Sequence, residues 1–77
     1  MASEHAYGVA LFHTNSAVMR AERTLLREGL AIKLIPVPRN LSSDCGIAMR
    51  FNADDEKRIR EILEADSVAV NAIHSPV

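Results

Sequence analysis

The chain has no tryptophan, one tyrosine, three glycines, three prolines and a single cysteine among its 77 residues. One thiol, Cys45, cannot close a disulfide within the chain, whereas a secreted domain of this size ordinarily holds several. The sequence therefore points to a reducing, cytoplasmic setting. No uncharged apolar stretch approaches the ~18–20 residues of a membrane span. Residues Met1 to His5 lack a basic segment leading into an apolar run, so no signal peptide is expected. A surplus of one charge is missing too, since nine Lys+Arg against ten Asp+Glu leave a formal charge of -1. A general nucleic-acid binder needs excess cations to displace counterions, so nucleic acid is not an expected partner. His5, His13, His74 and Cys45 show no paired-ligand spacing for zinc, and no glycine-rich loop of the phosphate-cradling type occurs.

What remains is apolar. Hydrophobic residues make up 48% of the chain, enough for one core, and the expectation is one domain over 1–77 with a core from about 6 to 74. A domain this small buries only ~60% of the surface its unfolded chain exposes. A homodimer, or a partner over one sheet face, would supply further burial.

Residues 7–12, Tyr-Gly-Val-Ala-Leu-Phe, read as a strand buried on both faces and hence central. Thr14, Asn15 and Ser16 are good helix N-caps. Ala17, Val18, Ala21, Leu25 and Leu26 then recur at helical spacing, with Arg20, Glu22, Arg23 and Arg27 facing away. This predicts an amphipathic helix over 16–28, ended by Gly29 in a left-handed conformation. Residues 31–35 read as a second strand, nearer an edge because Lys33 interrupts it, and Pro36 and Pro38 stop it. Residues 36–44 are a loop by composition. Ile47, Met49 and Phe51 alternate with Gly46, Ala48 and Arg50, which predicts a half-buried strand. Asn52 is positioned to cap a second helix, with Asp54, Asp55 and Glu56 in its first turn and Ile59, Ile62 and Leu63 as its apolar stripe. A last strand is expected from Val68 to Ile73.

The order β-α-β-β-α-β predicts an α+β ferredoxin-like sandwich, four antiparallel strands with both helices on one face. Right-handed crossovers make the first two strands parallel. The loop between the second and third strands should then share an edge of the sheet with the start of helix one. That brings Ser42, Ser43, Asp44 and Cys45 to the rim that holds His13, Thr14, Asn15 and Ser16.

A cysteine at the mouth of a strand is expected to be reachable by solvent. Its reactivity depends on thiolate content, which rises near a helix N-terminus, an imidazolium or a guanidinium. The rim offers the amides of helix one, His13, and Arg39 or Arg50. Gly46 removes side-chain bulk beside the sulfur, while Asp44 opposes thiolate formation. The competing reading is a buried structural thiol, with His13 an ordinary surface histidine and Arg39 a solubilising residue in a proline-rich loop. An RNA-recognition reading fails, because Ile47 and Met49 stand where stacking rings are expected.

The chain also resembles the selenium/sulfur carrier-like proteins. The matching stretches are Ala21-Glu22, Leu25-Leu26 and Gly29, then Lys33-Leu34-Ile35-Pro36-Val37-Pro38-Arg39, then Leu41 through Phe51. The Ile-Pro-Val-Pro-Arg run joined to Ser-Ser-Asp-Cys-Gly is the specific part, and the resemblance spans about residues 7–65. It implies a carrier that holds sulfur or selenium on Cys45, with Arg39, Ser42 and Ser43 in the same motif. His13 is not part of it and rests on the rim geometry alone; Asn15 is placed by that same rim. The implied partners are a donor of the cysteine desulfurase or selenocysteine lyase type and an acceptor protein. No metal or organic cofactor is implied, and the implied role leans to a stoichiometric carrier over a true enzyme without deciding between them. Two other readings are a non-catalytic interaction or regulatory module with a structural cysteine, and a thiol redox protein. The second is weakened by the lack of a resolving cysteine.

Overall fold

The computed structural model describes residues 6–41 and 46–75. The elements follow in the order β1 (Tyr7–Leu11), α1 (Asn15–Arg27), β2 (Ile32–Pro36), β3 (Ile47–Asn52), α2 (Glu56–Ala65) and β4 (Ala72–His74). The strands form one sheet, β2-β3-β1-β4, in which every neighbouring pair is antiparallel. This is the ferredoxin-like arrangement of the α+β class. As the apolar run at 7–12 predicts, β1 is central, and β2, with Lys33, is an edge strand.

Side chains alternate between the sheet faces, so each face is read from the register. Ala10, Met49 and Phe51 face the helices and form the main core with Val18, Ala21 and Leu25 of α1 and Ile59 and Leu63 of α2. Val9, Leu11 and Ala48 point to the helix-free face. The sequence predicts Ala48 on a solvated face, yet it is fully buried. The reason is the segment after β2, whose Val37 and Leu41 fold back onto Val9, Leu11 and Ala48.

Local chemistry sets the helix ends. Thr14 is extended and its hydroxyl accepts the amide of Ala17 at 3.1 Å, so α1 begins at Asn15, one residue earlier than its spacing suggests. At the other end Leu30 N–H donates to the Leu25 carbonyl and Gly29 N–H to that of Leu26, with Gly29 at φ +81°. Helix α2 closes the same way: Val68 N–H reaches Leu63, Ser67 N–H reaches Glu64, and Ser67 sits at φ 58°. Both are Schellman closures.

Four further expectations need correction. Val68 belongs to the α2 closure rather than to a strand, and β4 shrinks to Ala72–His74 because the backbone at 68 already bonds to the helix. Asn52 makes no side-chain cap; a 3-10 turn, Ala53–Asp55, intervenes, and the Ala53 amide is taken by the Ala6 carbonyl at 2.9 Å. Asp54 and Asp55 lie in that turn, leaving Glu56 in the first turn of α2, where it accepts from Arg60 at 2.8 Å. Leu26 is 52% exposed because the buried stripe of α1 runs through Val18, Ala21, Thr24 and Leu25. No helix among the described residues is long and apolar enough to cross a membrane.

Candidate functional site

The sheet register builds the rim. Leu11, at the end of β1, opposes Ala48 near the start of β3, and Pro36, at the end of β2, opposes Ile47. Phe12 and His13 therefore leave the sheet on the edge where Gly46 enters it. The Val37 amide donates to the Gly46 carbonyl at 3.3 Å, extending the β2–β3 ladder one residue past Pro36. On the other side the Asn71 amide donates to the Leu11 carbonyl at 2.8 Å, so the entry to β4 joins the same edge.

The head of α1 opens onto this rim. A helix start leaves amides with no carbonyl one turn behind and carries the positive end of the macrodipole. Thr14 takes the amide of Ala17. No acidic residue stands in the first turn of α1.

The structure brings His13, Asn15 and Gly46 to one edge, and His13 and Asn15 are both exposed. A β-carbon at Gly46 would meet no neighbouring atom within 4 Å among the described residues, so the space beside it is open. Arg39 is placed differently. It occupies the exposed corner of a turn closed by the Leu41 amide on the Pro38 carbonyl at 2.9 Å, beside the helix-free face. Among the described residues no hydrogen bond or ion pair ties Arg39 to the head of α1. Arg50, the other cation weighed for the rim, stacks on the Tyr7 ring at 4.5 Å and opposes Val9 and Lys33, well back along the sheet. The expectations for Ser42, Ser43, Asp44 and Cys45 lie outside the described residues.

Sequence reasoning missed Val37 and Leu41. These two apolar residues seat the segment leading toward Cys45 onto Val9, Leu11 and Ala48. The available signal was their spacing inside a loop otherwise made of proline and polar residues, since apolar side chains in such a loop need something to pack on.

No curated protein and no solved structure matches the chain. A protein-family model described as "Putative Se/S carrier protein-like" matches residues 7–75. That span runs from the first residue of β1 to just past β4 and includes both halves of the Ile-Pro-Val-Pro-Arg and Ser-Ser-Asp-Cys-Gly motif. The chain belongs to this Se/S carrier protein-like family.

Proposed function

We propose that the chain relays sulfur or selenium between a donor and an acceptor protein, holding it as the terminal atom of a persulfide or perselenide on Cys45. The observation that carries this reading is the register of Leu11 with Ala48, which brings Gly46, the sequence neighbour of Cys45, to the edge where α1 begins. Family membership over residues 7–75 supports it independently.

The loading step needs no cofactor. The Cys45 thiolate attacks the outer sulfur of a donor persulfide, R–S–SH, forming a new S–S bond. The donor's own S–S bond breaks and R–S⁻ departs. The product, Cys45–S–SH, then loses a proton to water. Atoms and charge balance with no added oxidant or reductant, and selenium follows the same course as R–S–SeH. Holding the terminal anion calls for N–H and O–H donors, which the loop amides, the Ser42 and Ser43 hydroxyls, and the head of α1 with Asn15 would supply. Arg39 would add a charge-assisted contact, and His13 would line the same rim. Gly46 leaves the approach unobstructed, and Asp44 opposes thiolate formation. Delivery repeats the exchange in reverse toward an acceptor thiol. A cytoplasmic location and donors of the cysteine desulfurase or selenocysteine lyase type accord with this chemistry.

Intact-mass spectrometry tests it. After incubation with an active cysteine desulfurase and cysteine, or selenocysteine lyase and selenocysteine, the chain should gain the mass of one sulfur or one selenium. A reductant should reverse the gain, and Cys45→Ser should abolish it. An active donor that leaves the mass unchanged would overturn the proposal and favour the interaction module with a structural Cys45.

A further inference from the structure

The helix-free face is divided in two. Toward the rim, Val37 and Leu41 cover Val9, Leu11 and Ala48. At the opposite end Tyr7, Lys33, Arg50 and Asn52 stand around a cleft of about 210 Å³. The two ends are separated by the run from the Leu11–Ala48 pair to the Tyr7–Asn52 pair, four residues along β1, or about 13 Å at the strand rise. The cleft is distinct from the rim.

Its charge arrangement is unusual. Lys33 on β2 lies directly opposite Arg50 on β3, which puts two cations on one face with β-carbons roughly 5 Å apart. Directly opposed like charges destabilise a sheet, whereas opposite charges stabilise it. The ion pairs Arg20–Asp66, Arg58–Glu28 and Arg60–Glu56 lie elsewhere, and among the described residues none reaches Lys33 or Arg50. Edge protection explains a lysine on β2. It does not explain an arginine facing that lysine from an inner strand. Arg50 is also held in place, its guanidinium carbon 4.5 Å from the centroid of the Tyr7 ring. A fixed planar fork beside a point charge suits a tetrahedral dianion, with two parallel N–H bonds from arginine and one from lysine.

We infer that the Lys33–Arg50 cleft is a binding site for a phosphate group, either the free ion or a phosphate monoester. The ligand cancels the cross-strand repulsion, and Asn52 supplies a further donor from the wall of the cleft.

Amide chemical-shift titration of the intact chain at mildly alkaline pH reads the site directly. Inorganic phosphate and glycerol 3-phosphate serve as probes, with sodium chloride and acetate at matched ionic strength as controls. Saturable shifts at Ala31, Lys33, Arg50 and Asn52 with the phosphates and not with the controls support the site. Tighter binding of glycerol 3-phosphate assigns a monoester, and equal binding assigns the free ion. Lys33→Gln and Arg50→Gln should each weaken phosphate about tenfold, the loss of one charge-assisted contact. Lys33→Glu provides a second readout, because it turns the repulsive pair into an attractive one. Its thermal midpoint should rise above that of the native chain while its phosphate shifts vanish. Shifts equal in phosphate and chloride, or a Lys33→Glu chain that still binds phosphate as the native one does, would overturn the inference.

Discussion

Gly8 of β1 lies directly opposite Phe51 of β3, and the Phe51 ring fills the space that a β-carbon on residue 8 would need. A β-carbon there would come within 2.5 Å of Cε2 of that ring and 3.0 Å of Cβ of Ser75. Glycine inside a strand normally weakens it; here its missing side chain makes room for a core aromatic against the central strand, with Phe51 only 1% exposed. Gly8→Ala should therefore destabilise the fold by about 1–3 kcal/mol, the usual cost of overpacking. Urea unfolding measures it, and an unchanged midpoint would show that the ring moves aside freely.

The two helix closures predict opposite responses to one kind of substitution. Gly29 and Ser67 hold the same left-handed position, at φ +81° and 58°, but only one is glycine. A side chain there costs about 1–2 kcal/mol in conformational strain. Gly29→Ala should lower stability by about that amount, although nothing crowds the site. Ser67→Gly should raise stability by up to about 1 kcal/mol, because its own backbone entropy offsets part of the gain. Thermal unfolding of both variants checks the pair.

Asp66 ties α1 to the end of α2. Its carboxylate accepts from the Thr24 hydroxyl at 2.8 Å and from Arg20 at 3.4 Å. The Thr24 bond first, then Arg20, hold its pKa below the ordinary value of 3.8. A carboxyl more acidic in the folded than in the unfolded chain stabilises the fold above its unfolded pKa. That contribution is lost as pH falls through the folded value. Stability should thus decline with acidification below about pH 4, and Asp66→Asn should flatten that part of the profile. A profile unaltered by Asp66→Asn would remove this role.

Leu41 anchors the segment that leads toward Cys45. It is half-buried against the cluster of Val9, Leu11 and Ala48. Leu41→Ala should cost about 1–2 kcal/mol, less than the loss at a fully buried leucine. Hydrogen exchange at Val37 and Leu41 themselves should quicken, since their amides close the local ladder and turn. Unchanged exchange at both would show that the turn holds without its apolar anchor.

Much of the fold was legible because its signals are local. The 3.6-residue period of α1, the Thr14 cap, Gly29 at the helix exit and the alternation of Ile47, Met49 and Phe51 need only neighbouring residues to act. The errors fell where local preference competes with distant partners. Val68 has the composition of a strand but is held by Leu63, and Leu26 fits the helical stripe but Thr24 takes the buried place.

The candidate site divides along the same line. The motif around Cys45 and the conclusion that it follows a proline-rich loop are properties of the order of residues alone. That Gly46 and the head of α1 share one edge of the sheet follows from topology, which the element order and crossover handedness already constrain.

The sequence by itself determined the main element types, the cap and exit of α1 and the single thiol, because hydrogen bonds within a turn and side-chain periodicity act over a few residues. Tertiary structure decided the rest: the second burial layer over Val9, Leu11 and Ala48, the fit of Phe51 over Gly8, and the confrontation of Lys33 with Arg50. Those depend on strand register, which is set by the packing of the whole sheet and leaves no mark on any one segment.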